Sequence, residues 1–96
     1  MIASFGDEAT EEVFNGENTK AARRVPREIW KVASRKLDML NAAHDLRDLM
    51  VPPHNRLESL HGNLAGKHSI RVNDQFRVVF RWKDGNAYEV QVKDYH

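Results

Sequence analysis

The sequence predicts an α+β fold: two helices in the first half of the chain, then an antiparallel sheet covered by those helices on one face. Three observations carry this. Ile29, Val32 or Ala33, Leu37 and Leu40 recur at spacings of three and four, the period of a helix with one buried stripe. Pro52-Pro53 then stops helical structure, because neither proline can donate a helical hydrogen bond. Beyond the prolines the apolar period falls to two, through "KHSIRV", "FRVVFRW" and "AYEVQV".

The elements follow in order. "IASF" has the composition of a short strand. A first helix begins near Asp7, where acidic side chains suit the helix N-terminus, and ends by Phe14 before the turn pair Asn15-Gly16. The long helix starts with Pro26 at its first position and Glu28 in its first turn, and runs to about Ala43. Arg27, Lys31, Arg35 and Asp38 fall on its polar side. A short turn passes through Leu46 and Leu49, and "RLESL" is a short strand after the prolines.

Bulk properties narrow the function classes. A chain of 96 residues, 41% hydrophobic and 30% charged, is one globular domain, residues 1–96, rather than a disordered segment. It has no cysteine, which excludes disulfides and thiolate metal sites. No window reaches the ~18 apolar residues of a membrane span and no signal-peptide core follows the start, so an intracellular protein without a membrane partner is expected. Residues 1–19 carry five acids and no Lys or Arg, a sum of −5, while residues 20–96 carry all 15 Lys and Arg against nine acids, a sum of +6. An acidic leader on a basic body points to a polyanion partner for the body.

Strand register can be set from the apolar pattern. A three-residue loop at Asn73-Asp74-Gln75 pairs Val72 with Phe76, Ile70 with Val78 and His68 with Phe80. A loop around Asp84-Gly85 with the same parity pairs Trp82 with Tyr88, Phe80 with Val90 and Val78 with Val92. One face of the sheet is then apolar, and a slip of one residue would bury Arg77 and Arg81. On the other face Arg81 meets Glu89, but Arg71 faces Arg77 and Arg77 faces Lys93. Like charges directly opposite one another destabilise a sheet. Side chains splayed into water are the plain reading of this row; a phosphate site is the functional one, since arginine matches phosphate oxygens with a two-pronged donor. Tyr95 shares the parity of Lys93 and therefore the face of the row. Asp94 takes the opposite parity, and His96 follows. The tail is expected to end a central or near-central strand, held by ladder hydrogen bonds.

Arginine beside a histidine and a tyrosine suits RNA cleavage by the neighbouring 2′-hydroxyl. One group takes the 2′-OH proton, another offsets charge on phosphorus, and a third protonates the leaving 5′-oxygen. Histidine titrates in the right range for either proton job, and tyrosine can stack on a base. No metal or other cofactor is required, and the five histidines at 44, 54, 61, 68 and 96 show no zinc-like spacing beside carboxylates. His68 is assigned to the apolar face and His44 to the helix end, both structural. Spacing alone leaves a nuclease and a passive RNA binder equally open.

The segments "MIASFGDEATEEVFNG", "ASRKLDMLNAAHDLRDL", "VPPHNRLESLHGNLAGKHSIRVNDQFRVVFRW" and the final "VKDYH" resemble the HigB toxins within the RelE-like group, across essentially the whole chain. The resemblance implies a RelE-like fold and a ribosome-dependent endoribonuclease that cuts mRNA in the A site of the 70S ribosome. It implies cytoplasmic action and a HigA-like helix-turn-helix antitoxin as partner, with operator DNA reached only through that antitoxin. Arg77 in "QFRVVF" matches the family's sheet arginine and is assigned to the scissile phosphate. Asp94, Tyr95 and His96 match the terminal triplet, with His96 for proton transfer and Tyr95 for stacking or orientation. In the best-known pattern a His and a Lys stand where Glu58 and His61 stand here. His61 is thus a candidate for charge or proton supply, and Glu58 for general base or partner of Arg56. Arg56, Arg71, Arg77 and Lys93 form the expected phosphate-binding set.

Three other readings remain open at this stage. The protein could bind RNA or the ribosome and block translation without cutting, or it could be a regulatory partner whose basic face only receives an acidic antitoxin segment. The acidic leader could also cover the basic face, although exposed helix-start acids are the plainer reading.

Overall fold

In a computed structural model that describes residues 1–95, Asp7 caps the first helix, α1 (Glu8–Phe14), by accepting a hydrogen bond from the Thr10 N–H at 2.8 Å. The acids of the leader thus load the N-terminal turn, and Gly16, with φ 75°, lies just beyond the C-cap residue Asn15. Pro26 does not open an α-helix directly. It precedes a tighter 3-10 turn, Arg27–Ile29, and α2 (Trp30–Ala42) follows. The Trp30 indole N–H reaches back to the Val25 carbonyl at 2.6 Å and pins this entry. Asp45 and Asp48 close the 3-10 turn Leu46–Met50 with reciprocal capping bonds.

Four antiparallel strands follow in the order β1 (Glu58–Ser59), β2 (His68–Arg71), β3 (Phe76–Lys83) and β4 (Asn86–Asp94). Ile29, Ala33, Leu37 and Leu40 bury their side chains in one core with Ile70, Val78, Phe80, Val90 and Val92 from the sheet. Each of these side chains larger than alanine contributes roughly 1.5–3 kcal/mol by leaving water. No described helix is long and apolar enough to cross a membrane.

The expected register holds for β2 with β3 and for the far half of β4, where Val78 faces Val92 and Arg77 faces Lys93. It fails near the hairpin. Asp84 and Gly85 have φ of 52° and 79°, the paired positive values of a two-residue hairpin turn, so Lys83 faces Asn86 and Trp82 faces Ala87. Tyr88 therefore stands opposite Arg81 rather than Trp82. The odd residue is taken up by a bulge between Val79 and Arg81, where Glu89 adopts φ 54° and Phe80 and Val90 leave the regular ladder while staying buried. The Arg81–Glu89 ion pair still forms, at 2.7 Å, across the bulge.

β4 is also the outer strand of the four, which corrects the expected central or near-central position. Its free side is covered in two pieces. "IASF" forms only isolated parallel bridges, Ile2 with Ala87 and Phe5 with Val90. Further along, the Val92 N–H donates to Thr10 Oγ1 at 2.9 Å, and the Gln91 amide donates to Asp7 Oδ2 at 3.0 Å. Gly6 is required at this junction, because a Cβ there would lie 2.9 Å from the Glu89 carbonyl oxygen. The leader thus seals the edge of β4.

One buried charge escaped the pattern reading. Lys36 lies in the buried stripe of α2, and its ammonium donates to Asn55 Oδ1 at 2.6 Å. Asn55 is itself fully buried and donates to the Leu49 and Val51 carbonyls. Burial, with added repulsion from Arg35 and Arg71, lowers the Lys36 pKa from its ordinary 10.5.

Candidate functional site

Arg77 projects from the face of β3 opposite the helices, as its alternation with buried Val78 requires. Four groups fix its guanidinium. Nε donates to Ser69 Oγ at 2.7 Å, and Nη2 donates to the Arg56 carbonyl at 2.6 Å. Nη1 lies 3.9 Å from Glu58 Oε1, and the Tyr95 ring centroid is 5.8 Å from Cζ. The side chain is only 11% exposed. Such a group is a positioned charge, not a searching one.

The backbone conformation explains the second contact. Arg56 caps the 3-10 turn Pro53–Asn55 in the left-handed region, φ 44°, and the next residues lead into β1. The side chain of Arg56 is exposed, and Arg77 uses its carbonyl. Glu58 contacts Arg77 rather than Arg56, which corrects the pairing expected from the sequence.

The cation row exists in the expected register, and the structure explains how two of its members are tolerated. Arg71 pairs with Asp74 of the adjoining hairpin loop, and Arg77 pairs loosely with Glu58. The Lys93 side chain has no hydrogen-bond or ion-pair partner among the described residues. It lines an open cleft of about 320 Å³ with Leu64, Asp94 and Tyr95. This face is not wholly polar, since Leu60 and Val79 are buried there or on its margin.

The tail is tied down through Gln75. Its carbonyl accepts the Tyr95 N–H at 2.7 Å, and its amide donates to Asp94 Oδ2 at 2.9 Å. Tyr95 stays 42% exposed above the row, free to meet a flat ligand. His96 lies outside the described residues. His61 caps the turn Gly62–Leu64 that brings Leu64 to the cleft, but its exposed side chain forms no hydrogen bond or ion pair with Arg77, Lys93 or Tyr95. His68 stacks on Phe80 at 6.1 Å on the apolar face, and His44 follows the end of α2, as expected. Among the described residues no three His, Asp or Glu side chains gather to hold a metal.

Sequence reasoning missed Ser69, Gln75 and the Arg56 carbonyl. Ser69 was within reach, because its parity on β2 places it on the Arg77 face, two pairs along the ladder from Arg71–Arg77. Gln75 looked like an ordinary loop residue, and a carbonyl contact has no side-chain signature.

The chain is similar to several known proteins. The family model described as RelE-like toxin of type II toxin–antitoxin system HigB matches residues 3–96. Toxin HigB-1 of Vibrio cholerae is 45% identical over 87 residues, 91% of this chain and 90% of that protein. Among solved structures, the YoeB-YefM complex from Staphylococcus aureus contains a chain that superposes with a TM-score of 0.60 at 17% identity, covering 100% of this chain and 98% of that one. The YoeB dimer from the same organism superposes with a TM-score of 0.59 at 18% identity, over 99% and 97% of the two chains. The low identity of these two carries the fold, RelE-like α+β, and nothing further. With residues 3–96 matched by that family and its fold shared with RelE-like structures, the chain belongs to the HigB toxins of type II toxin–antitoxin systems.

Proposed function

We propose that this toxin is a ribosome-dependent endoribonuclease that acts in the cytoplasm and cuts mRNA in the A site, with a HigA-like helix-turn-helix antitoxin as its partner. The reaction is attack of the 2′-oxygen on the adjacent phosphorus. The 2′-O–P bond forms and the P–O5′ bond breaks, leaving a 2′,3′-cyclic phosphate and a 5′-hydroxyl. Arg77 supplies fixed positive charge to the phosphoryl oxygens, worth several kcal/mol where such charge is preorganised. Lys93 and Arg71 flank it on neighbouring phosphates. Tyr95 stacks on a base of the codon. Glu58, the carboxylate beside Arg77, takes the 2′-OH proton, and His96 returns a proton to the 5′-oxygen. His61 is kept as a secondary donor of charge.

The observation that carries this reading is the fourfold fixing of Arg77 under an exposed tyrosine, with a half-exposed carboxylate 3.9 Å away. A second reading, a ribosome binder that does not cut, draws on the same pair: Glu58 already neutralises Arg77, so Lys93 would be the main anion contact. The test is end mapping of a defined mRNA on purified 70S ribosomes, beside an mRNA carrying a 2′-deoxynucleotide at the scissile position. Cleavage in the A-site codon that disappears with the deoxy substrate supports the nuclease. Stalled ribosomes with both messages intact support the non-cleaving binder.

A further inference from the structure

The positive charge of the chain is concentrated in one short stretch. Residues 37–96 carry eight Lys and Arg against eight acids, whereas residues 20–36 carry seven Lys and Arg against Glu28 alone. The whole surplus of the basic body therefore sits in 17 residues. Lys36 is buried, but Lys20, Arg23, Arg24, Arg27, Lys31 and Arg35 are all exposed. None of the six enters an ion pair among the described residues. On the sheet side, by contrast, Lys67, Arg71, Arg77 and Arg81 each have a carboxylate partner.

Placement separates this surface from the candidate site. α2 turns Ala33, Leu37 and Leu40 onto the apolar face of the sheet. Arg27, Lys31 and Arg35, four residues apart, consequently line the side directed away from the sheet. Arg71, Arg77 and Lys93 occupy the sheet's other face, so the two basic surfaces stand back to back in a molecule 26 Å across its shorter axes.

The chemistry favours a nucleic acid over a protein as occupant. A protein interface centres on apolar side chains. Among the described residues the exposed large hydrophobic ones are Met1, Met50, Val51 and Tyr95, all outside residues 20–36. A phosphate backbone needs only spaced cations, and four of the six here are arginines. We infer that the outer face of α2 and the turn before it dock on the phosphate backbone of structured ribosomal RNA, leaving the sheet face open to mRNA. This rests on the ribosome-directed reading above.

The test compares wild type with an Arg27→Gln/Lys31→Gln/Arg35→Gln triple variant and an Arg47→Gln/Lys83→Gln control. Affinity for protein-free 16S ribosomal RNA and for 70S ribosomes is measured across a salt series, with binding of the antitoxin alongside. The expected result is an affinity about tenfold weaker or more at about 100 mM salt, and a plot of log K against log salt flatter by about two to three units, in the triple variant alone. Cleavage at saturating ribosomes and antitoxin binding stay unchanged. Equal affinity and slope in all three proteins would overturn the inference and leave a solvated face. Loss of antitoxin binding with RNA affinity intact would overturn it in favour of a protein surface. If wild type cuts nothing, the nuclease reading fails while the RNA affinities still decide this one; if wild type binds neither RNA sample, the docking surface falls.

Discussion

The Tyr95 ring centroid lies 5.8 Å from the guanidinium carbon of Arg77, and the Tyr95 backbone N–H is bonded to the Gln75 carbonyl. A residue close to the chain's last position is thereby held against the most restrained cation of the sheet. Such a contact at a partly exposed site is worth about 0.5–1 kcal/mol. Tyr95→Phe keeps the ring and should retain most cleavage. Tyr95→Ala should lower cleavage by about tenfold or more while changing stability by less than about 1 kcal/mol. Paired rate and urea-denaturation measurements separate these outcomes.

Ser69 is fully buried, and its hydroxyl accepts from Arg77 Nε at 2.7 Å. Ser69→Ala leaves that N–H without its partner on a side chain that is only 11% exposed. The expected cost is about 1–3 kcal/mol in urea denaturation. Cleavage should fall as well, because the guanidinium loses one of its restraints. Wild-type stability in the variant would show that Arg77 finds another acceptor.

Glu58 is half-exposed and its pair with Arg77 is long, at 3.9 Å, so little stability depends on it. Glu58→Gln should change the unfolding free energy by no more than about 1 kcal/mol. As the proposed base it should lower the single-turnover rate by about 10²–10⁴-fold. An unchanged rate would move the proton acceptance to a histidine.

Asn55 is the hydrogen-bond partner of the buried Lys36 ammonium. Asn55→Ala strands that charge and frees the Leu49 and Val51 carbonyls, for an expected loss of about 3–5 kcal/mol at neutral pH. The pH dependence has a definite sign. Burial lowers the folded Lys36 pKa below its unfolded value of 10.5, so the unfolded chain holds the proton more tightly. The charged lysine's cost is present in full below the folded pKa and shrinks as pH rises toward 10.5. Removing it in Lys36→Met should therefore flatten the rise in stability over that alkaline window. A rise of equal steepness in the variant would assign it to other groups.

Apolar alternation alone was enough to read the Ile70–Val78 and Val78–Val92 pairs, and with them the row Arg71–Arg77–Lys93 and the face of Tyr95, because any slip buries an arginine. The bulge was not readable from that alternation. Parity groups Tyr88 with Val90 and Val92, whereas the two-residue Asp84-Gly85 turn turns Ala87 inward, and only an extra residue at Glu89 reconciles the two. Lys36 was hidden for a different reason. Its place in the buried stripe makes sense only once Asn55, 19 residues away and beyond two prolines, folds back against α2. In the same way the candidate site's long side chains were legible, while the supports of Arg77 were not. A small hydroxyl and a backbone carbonyl leave no pattern in a sequence.

The most direct measurement is the single-turnover cleavage rate of a defined mRNA on preformed 70S complexes, for wild type and Arg77→Ala, with ribosome affinity measured on the same samples. A fixed guanidinium acting on the scissile phosphate predicts a rate lower by about 100-fold or more, at an affinity within about threefold of wild type. A rate that survives the substitution, or a loss confined to affinity, would contradict it and make Arg77 a structural or binding residue.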